Sequence, residues 1–544
     1  MKRKYLYGIG ILALLLSFLV GCATTSTTPA TSTSTKPAAS TSTTPAAPTI
    51  EKPSGTLTFA VASCVEETFL PWNGGVVRSQ YFRGLIYETL VYKNKKSELV
   101  PQLATKWERS VDGKVWTITL RQGVNFHEGW GELTAEDVKY TFERMAGPGA
   151  VMHISPTLKQ KVKSIEAPEK YKVVFTFNDP EPDFMGLYGW DISGIICKKY
   201  LESKGDEEAN LKPIGTGPYT LAEHKKGAYI KLQTITDVKK HWRLTPDFQY
   251  IVFRIVPEEV TRVSMLKAGE AELVEMNYES IPALAGNPGI EARPTSELLP
   301  ATDLIRFGGL IKLREGFYDP KNPWADKKVR QALNYAVNRE DMAKQLYHGF
   351  GKPAACESGI AEWMDLKPYS YDPAKAKALL AEANYPNGFK VTLVHDERYM
   401  DPMIGQLVAG YWKAIGVQVE VIQRDWASLR QAWSQGKLNN QVWTHRTPQI
   451  TGDPRLQLDM ALVPTASIGS FADEKTEELR KAIAVELDLT KRSALMRQLG
   501  EYLKEEAAWV YLVWSSPVTG VNKKLGTWDT IGINSNLEYA CRAK

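Results

Sequence analysis

Alternating apolar and polar positions mark strands along much of the chain. Leu57, Phe59 and Val61 alternate over residues 56–62. Trp116, Ile118 and Leu120 alternate with Thr117, Thr119 and Arg121, and Tyr171, Val173, Phe175 and Phe177 repeat the pattern. A period of two means one face of a strand in a core and the other outside it. Asp112-Gly113, just before the Trp116 run, predicts a hairpin turn. Helical spacing lies between these runs. Val138, Thr141, Phe142 and Met145 share a face behind Thr134, with Asp137 placed for a reciprocal cap. Phe82, Leu85, Ile86 and Thr89 predict a helix over 81–90. Asp326 caps a helix carrying Val329, Ala332, Leu333, Ala336 and Val337, and Asp372-Pro373 opens one carrying Ala376, Leu379, Leu380 and Ala383. A helix from Val263 stops at Gly269 before a strand near Leu273. After residue 390 the order is strand (391–394), helix (404–415), strand (417–421), helix (426–433). Such alternation predicts an α/β architecture.

The first 52 residues follow none of this. Lys2, Arg3 and Lys4 precede an apolar run over 9–20, too short to span a bilayer comfortably, so residues 1–21 read as a signal peptide. Leu19-Val20-Gly21-Cys22 resembles a bacterial lipobox, which implies lipidation of Cys22. Residues 23–49 are Ser, Thr, Pro or Ala except for Lys36. That composition cannot bury a core, and residues 22–52 read as a disordered tether reaching on the order of 30 Å. The rest of the 544 residues is enough for about three domains. The net charge of +5 includes three charges in the leader and gives no case for nucleic acid. Besides Cys22, the cysteines are Cys64, Cys197, Cys356 and Cys541, none in a CxxC pair. They are either two disulfides of an exported chain or buried thiols. No cofactor and no metal site is indicated.

Residues 99–145 carry a resemblance. Pro101, Leu103-Ala104, Trp107, Asp112-Gly113, Leu120-Arg121, Gly123-Val124, Phe126-His127, Gly129 and Leu133-Thr134-Ala135-Glu136-Asp137-Val138 follow the signature of the extracellular solute-binding proteins of family 5. These are the dipeptide-, oligopeptide- and nickel-type receptors of ABC importers. Pro213-Ile214-Gly215-Thr216-Gly217-Pro218-Tyr219 resembles the family's return turn, and Asp326-Lys327-Lys328-Val329-Arg330-Gln331-Ala332-Leu333 opens a further match. The resemblance covers about 57–522. It implies a type II, cluster C periplasmic-binding-protein fold, with two hinged lobes and an extra small domain. Lobe I would take 53–92, 212–305 and 511–544, the extra domain 93–211, and lobe II 306–510.

The same resemblance places the ligand between the lobes. Peptide-binding relatives carry a Trp at the end of a lobe II strand, closely followed by an Asp that pairs with the peptide amino terminus. Trp443 fits, but Thr444-His445-Arg446-Thr447-Pro448 brings no acid, and Asp453 comes late. Either Asp453 folds back into that role or the ligand has no free amine there. Trp72, Trp130 and Trp514 fall at loops or strand ends near the expected cleft, with Asn277 and Tyr278 following a family turn; Trp107, Trp116, Trp412 and Trp426 are expected in the core. Arg446 has the fork geometry to hold a ligand carboxylate. The expected function is a lipid-anchored, extracytoplasmic, monomeric receptor that delivers an oligopeptide, or alternatively an oligosaccharide, to ABC permease subunits. An exported hydrolase is the contrasting class. It is disfavoured because no G-x-S-x-G, no H-E-x-x-H and no nucleophile–base pair is found.

Overall fold

The computed structural model describes residues 53–64, 67–74, 79–94, 98–152, 154–189, 194–294, 301–396, 403–447, 454–466, 469–526 and 536–542. The leader, Cys22 and the tether lie outside them. All described residues belong to one compact unit, Ile50–Lys544.

Two large sheets organise that unit. The first has seven strands in the order Ile290–Pro294, Val518–Asn522, Leu273–Met276, Thr56–Val61, Tyr250–Ile255, Tyr229–Thr234, Tyr219–Lys225. Thr56–Val61 lies at its centre and runs parallel to both neighbours. Leu57, Phe59 and Val61 are buried as their alternation requires, and Ala60 is buried on the other face. The second sheet has six strands: Gly351–Pro353, Val510–Ser515, Ala301–Phe307, Gln441–Thr447, Lys390–Asp396, Gln418–Arg424. Ala301–Phe307 lies wholly within it, as does Val510–Ser515, so the chain has left the first sheet before residue 301 and re-enters it at Val518.

A four-stranded antiparallel sheet builds the extra domain, in the order Ala104–Arg109, Val115–Leu120, Lys172–Phe177, Val162–Glu169. Trp116, Ile118 and Leu120 point into its core with Val173, Phe175 and Phe177. The helix Ala135–Ala146 covers it. Thr134 N and Oγ1 both donate to Asp137 Oδ2 at 2.9 Å, and Asp137 Oδ1 accepts from Lys198 N at 2.9 Å. One buried carboxylate thus caps its own helix and ties down the start of another, Lys198–Leu211.

The helix predicted over 81–90 is shorter, Gln80–Ile86. Its end is set by the return turn. Gly217 N donates to Ile86 O at 2.8 Å, taking an acceptor near the helix end. A Cβ on Gly215 would sit 2.0 Å from that same oxygen, so only glycine fits this approach. Thr89 then leaves the helical face and donates its hydroxyl to Gln102 Oε1 at 2.7 Å.

Among the described residues no disulfide is formed. Cys197 and Cys356 are buried, and Cys356 Sγ donates to Trp363 O at 3.3 Å. No helix among the described residues is long and apolar enough to cross a membrane.

Candidate functional site: an aromatic face and a buried ion pair on the central strand of the second sheet

The strand Gln441–Thr447 presents different chemistry on its two faces. On one face, Trp443 and His445 point into an aromatic group. Trp443 packs on Trp433 with ring centroids 4.8 Å apart, and His445 meets Trp433 edge-on at 6.2 Å. His445 is also stacked on Trp426 at 6.2 Å. Arg306 lies directly opposite Trp443 on the neighbouring strand. Its guanidinium sits 5.7 Å from the Trp433 ring and 5.4 Å from the Trp509 ring. Trp509 in turn meets Tyr511 edge-on at 5.8 Å.

Arg306 is fully buried, and burial pulls its guanidinium down to about 10, opposed by the nearby Glu357 charge. It remains protonated at neutral pH. Nη1 reaches Ser470 Oγ at 3.4 Å, and that oxygen also accepts from Trp509 Nε1 at 2.7 Å. Trp433 Nε1 donates to Gly469 O at 2.7 Å. Trp443 differs. Its side chain is 1% exposed, and its Nε1 has no hydrogen-bond partner among the described residues. A buried donor left unmatched costs about 1–3 kcal/mol, so this one requires a reason.

The other face holds a buried ion pair. Arg446 Nε and Nη2 grip Asp303 Oδ1 and Oδ2 at 2.6 and 2.8 Å. Ser515 Oγ and Tyr347 OH donate to Asp303 Oδ2 at 3.0 and 2.6 Å. Tyr278, from the segment after Leu273–Met276, packs on Tyr347 at 4.9 Å and donates its hydroxyl to Ser516 O at 2.6 Å. The attraction of Asp303 offsets desolvation and holds the Arg446 guanidinium above its ordinary value, while burial pushes the Tyr278 phenol up to about 12.

The predicted site residues therefore separate. Trp443 lies in the middle of its strand on the aromatic face. Arg446 and Tyr278 come together on the ion-pair face, where the fork of Arg446 is filled by Asp303. Trp514 is half-buried on the strand Val510–Ser515, two strands away from Gln441–Thr447, and donates to Cys356 O at 2.7 Å. Asn277 is exposed, with its side-chain amide on Glu259 Oε2 at 2.6 Å. Trp72 is buried beneath Arg144, 4.3 Å from its guanidinium, and Trp130 packs on Tyr200 at 4.8 Å; neither meets the Trp443 group through a ring contact. Asp453 lies outside the described residues. Trp426, expected in the core, is half-buried at the edge of the aromatic group. Arg306, Trp433, Trp509 and Tyr511 escape sequence reasoning, because each reads as an ordinary strand or helix residue until three distant segments are packed together.

The molecule is thus α/β, with two large sheets, a smaller antiparallel sheet and a strand of mixed aromatic and charged character inside the second large sheet. Residues 98–467 match the model of the bacterial extracellular solute-binding proteins, family 5, and the chain belongs to that family. It is 27% identical to heme-binding protein A of Haemophilus influenzae over 458 residues, 78% of this chain and 81% of the relative. It is also 27% identical to the dipeptide-binding protein of Escherichia coli over 475 residues, 81% and 85% of the two chains. Among solved structures, the periplasmic binding protein DppA from Helicobacter pylori in complex with peptide STSA superposes with a TM-score of 0.73 at 26% identity. That match covers 91% of this chain and 99% of the other. HbpA2 from Haemophilus parasuis gives 0.76 at 25% identity over 90% and 100%. The fold is that of a type II periplasmic binding protein.

Proposed function

We propose that the chain captures a peptide on the aromatic face of the second lobe, closes on it, and hands it unchanged to an ABC permease while lipidated Cys22 holds it at the outer face of the cell membrane. The observation that carries this reading is Trp443, a buried indole at the heart of an aromatic group whose N–H is unmatched among the described residues. A peptide carbonyl or carboxylate would complete it, and the flanking rings would take an apolar side chain. Arg446, already neutralised by Asp303, serves as a brace that holds the strand in place. Capture by closure works through differential affinity for the closed state, with no bond made or broken.

The dipeptide-binding relative and the peptide complex of the DppA neighbour support a peptide. The row Trp426, Trp433 and Trp443 gives an oligosaccharide as the second reading, since sugar C–H faces stack on indoles. Titration calorimetry against a tryptic digest of casein and against maltotetraose separates the two. Binding of the digest alone is expected, and binding of maltotetraose alone refutes the peptide reading. Trp443→Ala is expected to weaken digest binding by ~2 kcal/mol or more, as for a central aromatic anchor. Trp443→Phe keeps an aromatic ring while removing the N–H donor and part of the indole's bulk, so it is expected to weaken binding less than the alanine variant. Unchanged affinity in both variants would remove Trp443 from the site.

A further inference from the structure

The extra domain touches the second lobe through the tip of one hairpin. Arg109 ends the strand Ala104–Arg109, at the tip of the 104–120 hairpin. Its Nη1 donates to Pro182 O within the extra domain at 3.0 Å. Its Nη2 donates to Leu487 O at 3.0 Å, across 378 residues of chain. Leu487 lies between the helices Glu474–Val485 and Leu489–Glu505 of the second lobe. Its side chain presses on Gly113: a Cβ there would lie 2.5 Å from Leu487 Cδ2. Gly113 also has φ +72°, so the turn and the docking both demand glycine.

Each partner is braced by hydrogen bonds of its own. In the hairpin tip, Ser110 Oγ donates to Asp112 Oδ1 at 2.5 Å and accepts from Val115 N at 2.9 Å. Gly113 O accepts from Glu181 N at 2.9 Å, fixing the tip to the body of the extra domain. In the corner, Asp488 Oδ1 accepts from Thr490 N and Lys491 N at 2.9 and 3.0 Å, and Glu486 Oε1 accepts from Asp488 N at 2.8 Å. Surfaces braced in this way lose little conformational entropy on docking. The contact uses one backbone acceptor and one glycine-sized recess, so it forms in one relative position of the two bodies. A few ångströms of lobe rotation breaks the hydrogen bond and the packing together.

We propose that the Arg109–Gly113 hairpin tip and Leu487 form a clasp that holds the second lobe against the extra domain, and that this clasp sets the balance between closed and open receptor. This gives the extra domain a task of its own: the ligand face is built by the second lobe, and the hairpin secures the closed arrangement. The proposal does not depend on which solute is carried.

Two variants test it. Leu487→Ala removes the packing and leaves the accepting carbonyl in place. Arg109→Met keeps the aliphatic stem and removes both donors. Fluorophores on genetically encoded residues at Val151 of the extra domain and Met364 of the second lobe, both exposed, report the separation by single-molecule energy transfer. Each variant is expected to raise the population of the long-distance state on the order of five-fold, the effect of losing one modest hydrogen bond or packing contact. Far-UV circular dichroism should match wild type. Distance distributions identical to wild type in both variants, with and without the casein digest, overturn the clasp. A digest that fails to shorten the distance in the wild-type chain counts against the peptide reading and leaves the variant comparison intact.

Discussion

At the scale of single residues, buried charge decides most. Asp303 is fully buried and satisfied by Arg446, Ser515 and Tyr347. Removing one member of such a pair strands the other, which costs about 3–5 kcal/mol. Asp303→Ala is therefore expected to destabilise the chain by that amount in urea denaturation. Asp303→Leu combined with Arg446→Met should recover much of the loss, because no uncompensated charge remains. His127 shows the converse. It accepts from Gly215 N at Nδ1 (3.3 Å) and donates from Nε2 to Gly217 O (2.8 Å), so the return turn requires the neutral ring. Burial first, and His241 nearby, bring its pKa down to about 4 from 6.5. The unfolded state then binds more protons between pH 6.5 and 4, so stability falls as pH falls through that window. The loss reaches about 3 kcal/mol below pH 4. Denaturant titrations from pH 7 to 4 should show this slope, and His127→Gln should flatten it.

At the scale of elements, what was legible in the sequence is what is local. The Thr134–Asp137 cap, the Asp326 and Asp372 caps and the Gly269 stop are each encoded within a few residues and appear as read. Strand alternation was readable for the same reason. The helix over 81–90 was overestimated because its end is fixed by Gly217, some 130 residues on, which no local pattern records. Of the candidate residues, Trp443 is the one that falls in the aromatic group, and Arg446 and Tyr278 meet on the opposite face. Arg306, Trp433 and Trp509 form one group because three elements converge, and a single arginine in a strand gives no warning of two flanking indoles. Trp426 looked like core because its helix has a real apolar face, formed by Leu429, Ala432 and Trp433, and the ring stands beside that face. Asp137 carries a prediction of its own. Thr134→Ala removes one donor and should cost ~1 kcal/mol of thermal stability, whereas Asp137→Ala frees both helix starts and should cost more.

At the scale of the whole molecule, two sheets share one chain unequally. The second sheet is built from residues 301–515 without interruption, whereas the first is assembled from both ends of the described chain. Val518–Asn522 slots between Ile290–Pro294 and Leu273–Met276 and bonds to both. A polypeptide still being made therefore has a gap in its first sheet until residue 522 has emerged. The second sheet faces no such delay, and non-local pairing is slow in any case. A chain truncated after residue 516 is expected to keep a folded 301–515 region and to lose hydrogen-exchange protection throughout 250–294. Because that one strand arrives late, the first sheet stays open beside Leu273–Met276 while everything from 301 to 515 is being made, and its pairing closes only when the two ends of the described chain can meet.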